Sequence, residues 1–162
     1  MIRTYTKRDV PFIVNSHYEL YHQEFHYDET FKSFIQSKVD GILARKNRRE
    51  SIWIVEGAGE NKGSIAINEV DRETAQLGLF LMDPTLRGQG FGQKLIQTAI
   101  QFCIDQHYHS IILFTNEELV SARVLYQKNG FSCVESWIDV KSNKELVEEK
   151  WRVELISELD HK

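Results

Sequence analysis

Two spacings of apolar residues alternate along the chain, and together they predict most of its elements. Residues 2–5 read as a short strand. Thr6-Lys7-Arg8-Asp9 then has capping-box spacing with Asp in place of Glu, and Asp9 is itself an alternative cap. Val10, Ile13, Val14, His17 and Tyr21 follow on one helical face. Asp28 and Glu29 open a second helix, where negative charge suits the helix dipole, and its stripe is Phe31, Phe34, Ile35, Val39, Ile42 and Leu43. Residues 51–55, 64–70 and 75–82 read as three strands, separated by a turn-rich Gly57 to Gly63 stretch and by Asp71-Arg72-Glu73-Thr74. Pro84 stops the third. A long helix comes next, with Leu95, Ile96, Ala99, Ile100 and Cys103 on its buried face. Ile111-Ile112-Leu113-Phe114 is apolar throughout, as in a strand covered on both sides. A helix over about 118–129 ends at Gly130, and residues 131–140 and 150–156 close the chain as strands, the latter with Trp151, Val153 and Leu155 alternating with Arg152 and Glu154. The predicted order is β-α-α-β-β-β-α-β-α-β-β, an α/β chain with a mixed central sheet flanked by helices.

Composition narrows the function classes. The chain has 162 residues, 41% hydrophobic and 27% charged, with 2 Pro and 9 Gly, and neither a repeat nor a linker interrupts it. One folded domain over 1–162 is expected. Its longest apolar run, Leu77 to Met82, is far shorter than the ~20 residues of a membrane helix. The start carries no signal-peptide apolar region, so a cytoplasmic protein without a membrane partner is expected. Cys103 and Cys133 make no CxxC pair. The formal charge of −4 gives no overall pull toward nucleic acid, and Arg45-Lys46-Asn47-Arg48-Arg49 reads as a solvated loop.

The most informative stretch is Met82-Asp83-Pro84-Thr85-Leu86-Arg87-Gly88-Gln89-Gly90-Phe91-Gly92-Gln93. Three glycines at alternate positions between a strand and a helix leave backbone N–H groups uncovered. The helix start adds unpaired N–H groups and partial positive charge, and Arg87 adds a permanent cation, so the stretch suits phosphate. The alternative is a turn whose glycines only permit tight bending. Gly92 is followed by Gln93, so a GxxxxGK[ST] loop fails, and GxGxG after a run of three strands fits a dinucleotide fingerprint poorly.

Arg87-Gly88-Gln89-Gly90-Phe91-Gly92 resembles the (Q/R)xxGx(G/A) pyrophosphate motif of the GNAT superfamily of N-acetyltransferases. Ser121-Ala122-Arg123-Val124-Leu125-Tyr126-Gln127-Lys128-Asn129-Gly130-Phe131 resembles the same superfamily's A-x-x-L-Y-x-x-x-G-F passage from helix to strand. Motif spacing and strand order both fit, over nearly the whole chain. The His17-to-Phe31 segment also resembles a bacterial branch sometimes fused to winged-helix regulators.

The resemblance implies an acetyl-CoA co-substrate, no metal, and direct acetyl transfer to a primary amine on a small molecule or protein. It implies a cleft where the strand ending at Met82 parts from the strand at 111–115, with the pantetheine arm pairing on the backbone of Leu81 and Met82. Amides of Gly88, Gln89, Gly90, Phe91, Gly92 and Gln93 would hold the pyrophosphate, with Arg87 at its edge, and the Met82 N–H would face the thioester oxygen. Tyr126 matches the tyrosine that protonates the departing thiolate; the alternative is a packed ring. Where many members carry Asn, seven residues before that tyrosine, this chain has Leu119. Asn116 either replaces that Asn at the cofactor or starts the helix. Glu69 is the candidate general base, with an exposed strand carboxylate as the alternative. Glu24-Phe25-His26-Tyr27-Asp28 would border the acceptor site by analogy.

Other constellations carry less. His22 and His26 stand at i,i+4, but His22-Gln23-Glu24-Phe25-His26 puts the Glu one place late for HExxH. Cys133 has no neighbouring His to activate it as an acyl carrier. A non-catalytic CoA sensor on the same fold is the rival function, and a homodimer stays open.

Overall fold

A computed structural model of the chain describes residues 1–141 and 143–155. Seven strands form one sheet: β1 (Ile2–Thr4), β2 (Ser51–Gly57), β3 (Glu60–Glu69), β4 (Thr74–Met82), β5 (Ser110–Asn116), β6 (Ser132–Lys141) and β7 (Lys144–Glu154). Their spatial order is β1-β2-β3-β4-β5-β7-β6, antiparallel except for the β4–β5 pair. The helices are α1 (Val10–Phe25), α2 (Glu29–Arg45), α3 (Phe91–Asp105) and α4 (Val120–Lys128). This is the mixed α/β architecture that the periodicities predict.

The sheet is covered on both faces because its central strands are apolar on both. In β2, Trp53 and Val55 join the core under α3, with Leu95, Ile96, Ala99 and Cys103. Their neighbours Ile52 and Ile54 point the other way, to Ile13, Val14, Ile35, Val39 and Ile42 of α1 and α2. Burying each such side chain contributes roughly 1.5–3 kcal/mol. The second helix starts as its letters suggest: the Asp28 side chain accepts from the Thr30 N–H at 2.9 Å. Ahead of α1, the Thr6 N–H donates to Asp9 Oδ2 at 2.7 Å, and Arg3 donates to both Asp9 oxygens at 2.8 Å.

Several expectations are corrected. β7 begins at Lys144 rather than 150, pairing with β6 through a hairpin whose charged letters hide its strand character; Ile156 lies outside the described residues. Phe34 is 57% exposed and Phe114 49% exposed, because each lines an open hollow rather than the closed core. The basic run is not simply solvated. Arg45 pairs with Glu50 at 2.9 Å, and Arg49 lies 3.9 Å over the Tyr108 ring while pairing with Glu69.

Candidate active site

The parallel pairing of β4 and β5 runs from Thr74↔Ser110 only to Leu77↔Leu113. At that point β4 departs. Leu79 has φ +50°, a left-handed conformation costing a leucine about 1–2 kcal/mol, and the β3–β4 register shifts across Ser64 and Ala66. Buried Ser64 holds this bulge by donating its Oγ–H to the Leu79 carbonyl at 2.7 Å. Beyond it β4 stays bonded to β3, with the Asp83 N–H donating to the Lys62 carbonyl at 2.7 Å. Strand alternation therefore turns the N–H groups of Phe80 and Met82 to the opposite side, into the gap.

Two concavities meet at this gap. A cleft of about 670 Å³ runs past Leu81, Met82, Arg87, Gly88, Gly90 and Gly92. On the other side a hollow of about 550 Å³ lies between the α1–α2 aromatics and the sheet. Tyr21, Phe80 and Leu119 line both. A third depression, under Tyr5, Lys7 and the end of α2, lies away from the gap.

The glycine turn forms an open cradle. Gly88 and Gly90 have φ +82° and +84°, and a Cβ on either would meet no atom within 4 Å. Gly90 precedes the first turn of α3, whose N–H groups have no partner within the helix. Gly92 serves closeness instead: a Cβ there would lie 2.9 Å from Leu125 Cδ1, so a side chain would have to displace the Leu125 side chain that packs on it. The diphosphate expected from the sequence fits this open, donor-rich concavity. Arg87 stands beside it, donating to Glu24 at 3.1 Å. The side chains of Gln89 and Gln93 are turned to protein, Gln89 donating to the Thr85 carbonyl and Gln93 in a two-way amide pair with Asn129.

Tyr126 is 5% exposed and lines the aromatic hollow, its ring 5.9 Å from that of Phe80. Burial, and secondarily Tyr21, raises its phenol pKa above the usual tyrosine value, so it stays protonated at neutral pH. Tyr21 donates to the Phe80 carbonyl at 3.4 Å, and burial pushes its own phenol up in the same way.

The structure separates Glu69 from the other candidates. β3 runs antiparallel to β4, so Glu69 pairs with Ala75, seven residues and roughly 24 Å of strand from Met82. There it is held by Arg49, and the role of base at the gap is corrected on that ground. Asn116 is buried, donates to the Tyr27 hydroxyl and accepts from the Glu118 N–H at 3.0 Å. It stiffens the turn before α4, whose own cap position is Leu119. The segment expected near the acceptor divides: Tyr27 lines the hollow, Glu24 and Phe25 line the cleft, and Asp28 caps α2.

Sequence reasoning missed Lys38, Phe114, Trp137, Asp139 and Glu148, which all line the hollow. Cross-strand register puts Asn116, Glu148 and Trp137 in one row on one sheet face, a relation no local pattern encodes. Cys103 is buried, its thiol pushed up to about 12 by desolvation, and Cys133 is exposed on β6. His17 is buried with Nδ1 2.7 Å from the Ile13 carbonyl, and burial lowers it to about 4; His22 Nδ1 lies 2.7 Å from the Tyr27 carbonyl. No described helix is long and apolar enough to cross a membrane.

A split between two parallel strands beside a glycine-lined helix start is what the sequence resemblance anticipates, and comparison with known proteins bears out the family. The profile of the Acetyltransferase (GNAT) family matches residues 13–131. The chain belongs to the GNAT acetyltransferase family. Among curated GNAT relatives, rat N-acetyltransferase family 8 member 2 is 34% identical over 90 residues, 52% of this chain and 40% of that protein. Human N-acetyltransferase 8 is 34% identical over 89 residues, 52% and 39% of the two chains. The chain thus matches well under half the length of these relatives. Among solved structures, a ribosomal-protein-alanine N-acetyltransferase from Brucella melitensis has TM-score 0.77 at 17% identity, covering 96% of this chain and 99% of its own. The Salmonella typhimurium protein yncA, solved with its cofactor acetyl-CoA, has TM-score 0.77 at 17% identity, covering 97% and 94%. At such identities the agreement is one of GNAT fold.

Proposed function

We propose that the protein transfers an acetyl group from acetyl-CoA directly to a primary amine. One observation carries this: β4 leaves β5 after Leu77 and turns the N–H groups of Phe80 and Met82 into a gap flanked by the glycine cradle and Tyr126. The cradle amides of Gly88 to Gln93 and Arg87 hold the diphosphate, and the β4 backbone at Leu81 and Met82 receives the pantetheine arm as an added strand. The acceptor enters from the aromatic hollow. Its neutral nitrogen attacks the thioester carbon, and the Met82 N–H stabilises the negative charge gathering on the oxygen. As the C–S bond breaks, the thiolate takes the Tyr126 proton, and the nitrogen gives up its own. Glu148, buried in the hollow, takes the proton-accepting role that sequence reasoning gave to Glu69.

The test is calorimetry with CoA followed by thiol release across an amine panel. Binding with product supports the proposal, and binding without product across the panel favours the non-catalytic sensor. Tyr126→Phe should lower kcat about 100-fold with CoA affinity retained; equal turnover removes Tyr126 from the chemistry.

A further inference from the structure

The aromatic hollow contains one lysine, and its position bears on the acceptor. Lys38 reaches from α2 across the hollow to the strand break. Its Nζ lies 3.1 Å from where a Cβ on Gly78 would stand and 5.7 Å from the Phe34 ring centroid. Burial pulls its ammonium below the usual lysine pKa, and among the described residues it forms no ion pair. A desolvated cation without a counter-charge is costly, and a bound anion relieves that cost. Three rings open onto the same hollow, Phe34 (57% exposed), Phe114 (49%) and Trp137 (39%), the last two in edge-to-face contact at 6.3 Å. Three exposed large rings around one concavity mark a binding surface. Asp139 and Glu148 line it too and supply negative charge for an ammonium.

Resting on the acetyltransferase reading above, we propose that the acceptor is an α-amino acid with an apolar body, whose carboxylate is read by Lys38. Gly78 stands two residues before Phe80, on the other side of the bend at Leu79. An α-amino group, its carboxylate and one charge-assisted hydrogen bond of about 2.8 Å bridge that span. Bound this way, the amine faces Phe80 and Tyr126 while the apolar body fills the space between Phe34, Phe114 and Trp137. Glycine at 78 lets the ammonium lie against the strand, since any side chain there would displace it. A polyamine would set a second cation against Lys38 and should be a poor acceptor.

The experiment compares phenylalanine with phenethylamine, which has the same body and amine but no carboxylate, and adds spermidine as the polycation. Thiol release gives kcat/KM, and calorimetry on the CoA-bound protein reads acceptor binding without requiring turnover. Phenylalanine should exceed phenethylamine by at least about tenfold in both, the scale of one charge-assisted hydrogen bond. In Lys38→Met, which keeps the packed stem and removes the charge, that ratio should collapse to near one. Equal wild-type values for the two ligands, a ratio that survives Lys38→Met, or preference for spermidine would overturn the assignment. Phenethylamine acetylated as readily as phenylalanine refutes the carboxylate reading alone. CoA binding with no product from any amine removes the transferase reading, and carboxylate-dependent binding in that same protein would still support Lys38 as the recognition group.

Discussion

Gly90→Asp separates the two duties a cradle glycine can have. With φ +84° and no atom within 4 Å of an added Cβ, the site tolerates a side chain sterically. Asp is among the residues that best accept a left-handed backbone, so the fold should lose only about 1 kcal/mol, a fall in Tm of about 2–4 °C for a chain of this size. Binding should suffer far more. A carboxylate about 6 Å from a diphosphate, at an effective dielectric constant of about 20, opposes each unit of charge by about 2.8 kcal/mol. Two such charges, screened roughly twofold at physiological ionic strength, leave about 2.8 kcal/mol, close to a 100-fold loss of CoA affinity. Calorimetry on the folded variant reads this, with Gly90→Ala as the control for backbone strain and raised salt as the control for charge. A Gly90→Asp protein of native helicity whose CoA affinity lies within twofold of wild type would refute the cradle.

Three further outcomes follow from other parts of the molecule. Because burial raises the Tyr126 phenol, turnover should show no alkaline decline from this group below pH about 10; a decline near 9 that Tyr126→Phe abolishes would contradict it. Ser64→Ala removes the hydroxyl that holds the Leu79 carbonyl and should cost about 1–2 kcal/mol in urea unfolding, with a rise in KM for acetyl-CoA as the bulge relaxes. The Arg3 guanidinium holds the Asp9 carboxyl well below the usual carboxylate range, so the pair stabilises above pH about 4 and loses that contribution as the pH falls toward the depressed folded value. Asp9→Asn should therefore destabilise by about 2 kcal/mol at pH 7, between an exposed and a fully buried pair, with a smaller gap at pH 3; a gap independent of pH would exclude the linkage.

Features written in neighbouring residues were legible in the letters. Of the predicted α3 stripe, Leu95, Ile96, Ala99 and Cys103 are buried and Ile100 is partly so; Asp28 caps α2, and Gly130 carries its positive φ after α4. Features set by pairing were not. The bulge sits at a leucine, so no glycine announces it, and without it nothing tells a reader that Phe114 faces open space. Glu69 lies near a strand end, but only the antiparallel β3–β4 register decides that this end is remote from Met82. Glu148 and Trp137 come together across β7 and β6, where the charged stretch from Lys144 to Lys150 masks a buried alternation.

Sheets ordinarily keep their unsaturated rims at the outside, where any passing chain can zip onto them. Here β4 and β5 create a rim in the interior, walled by helices on either side of the sheet. Such a notch offers backbone donors to a thin thread carrying peptide-like groups. The same kink that strains one leucine thus keeps a row of unpaired donors inside the fold, as a seat for a slender guest.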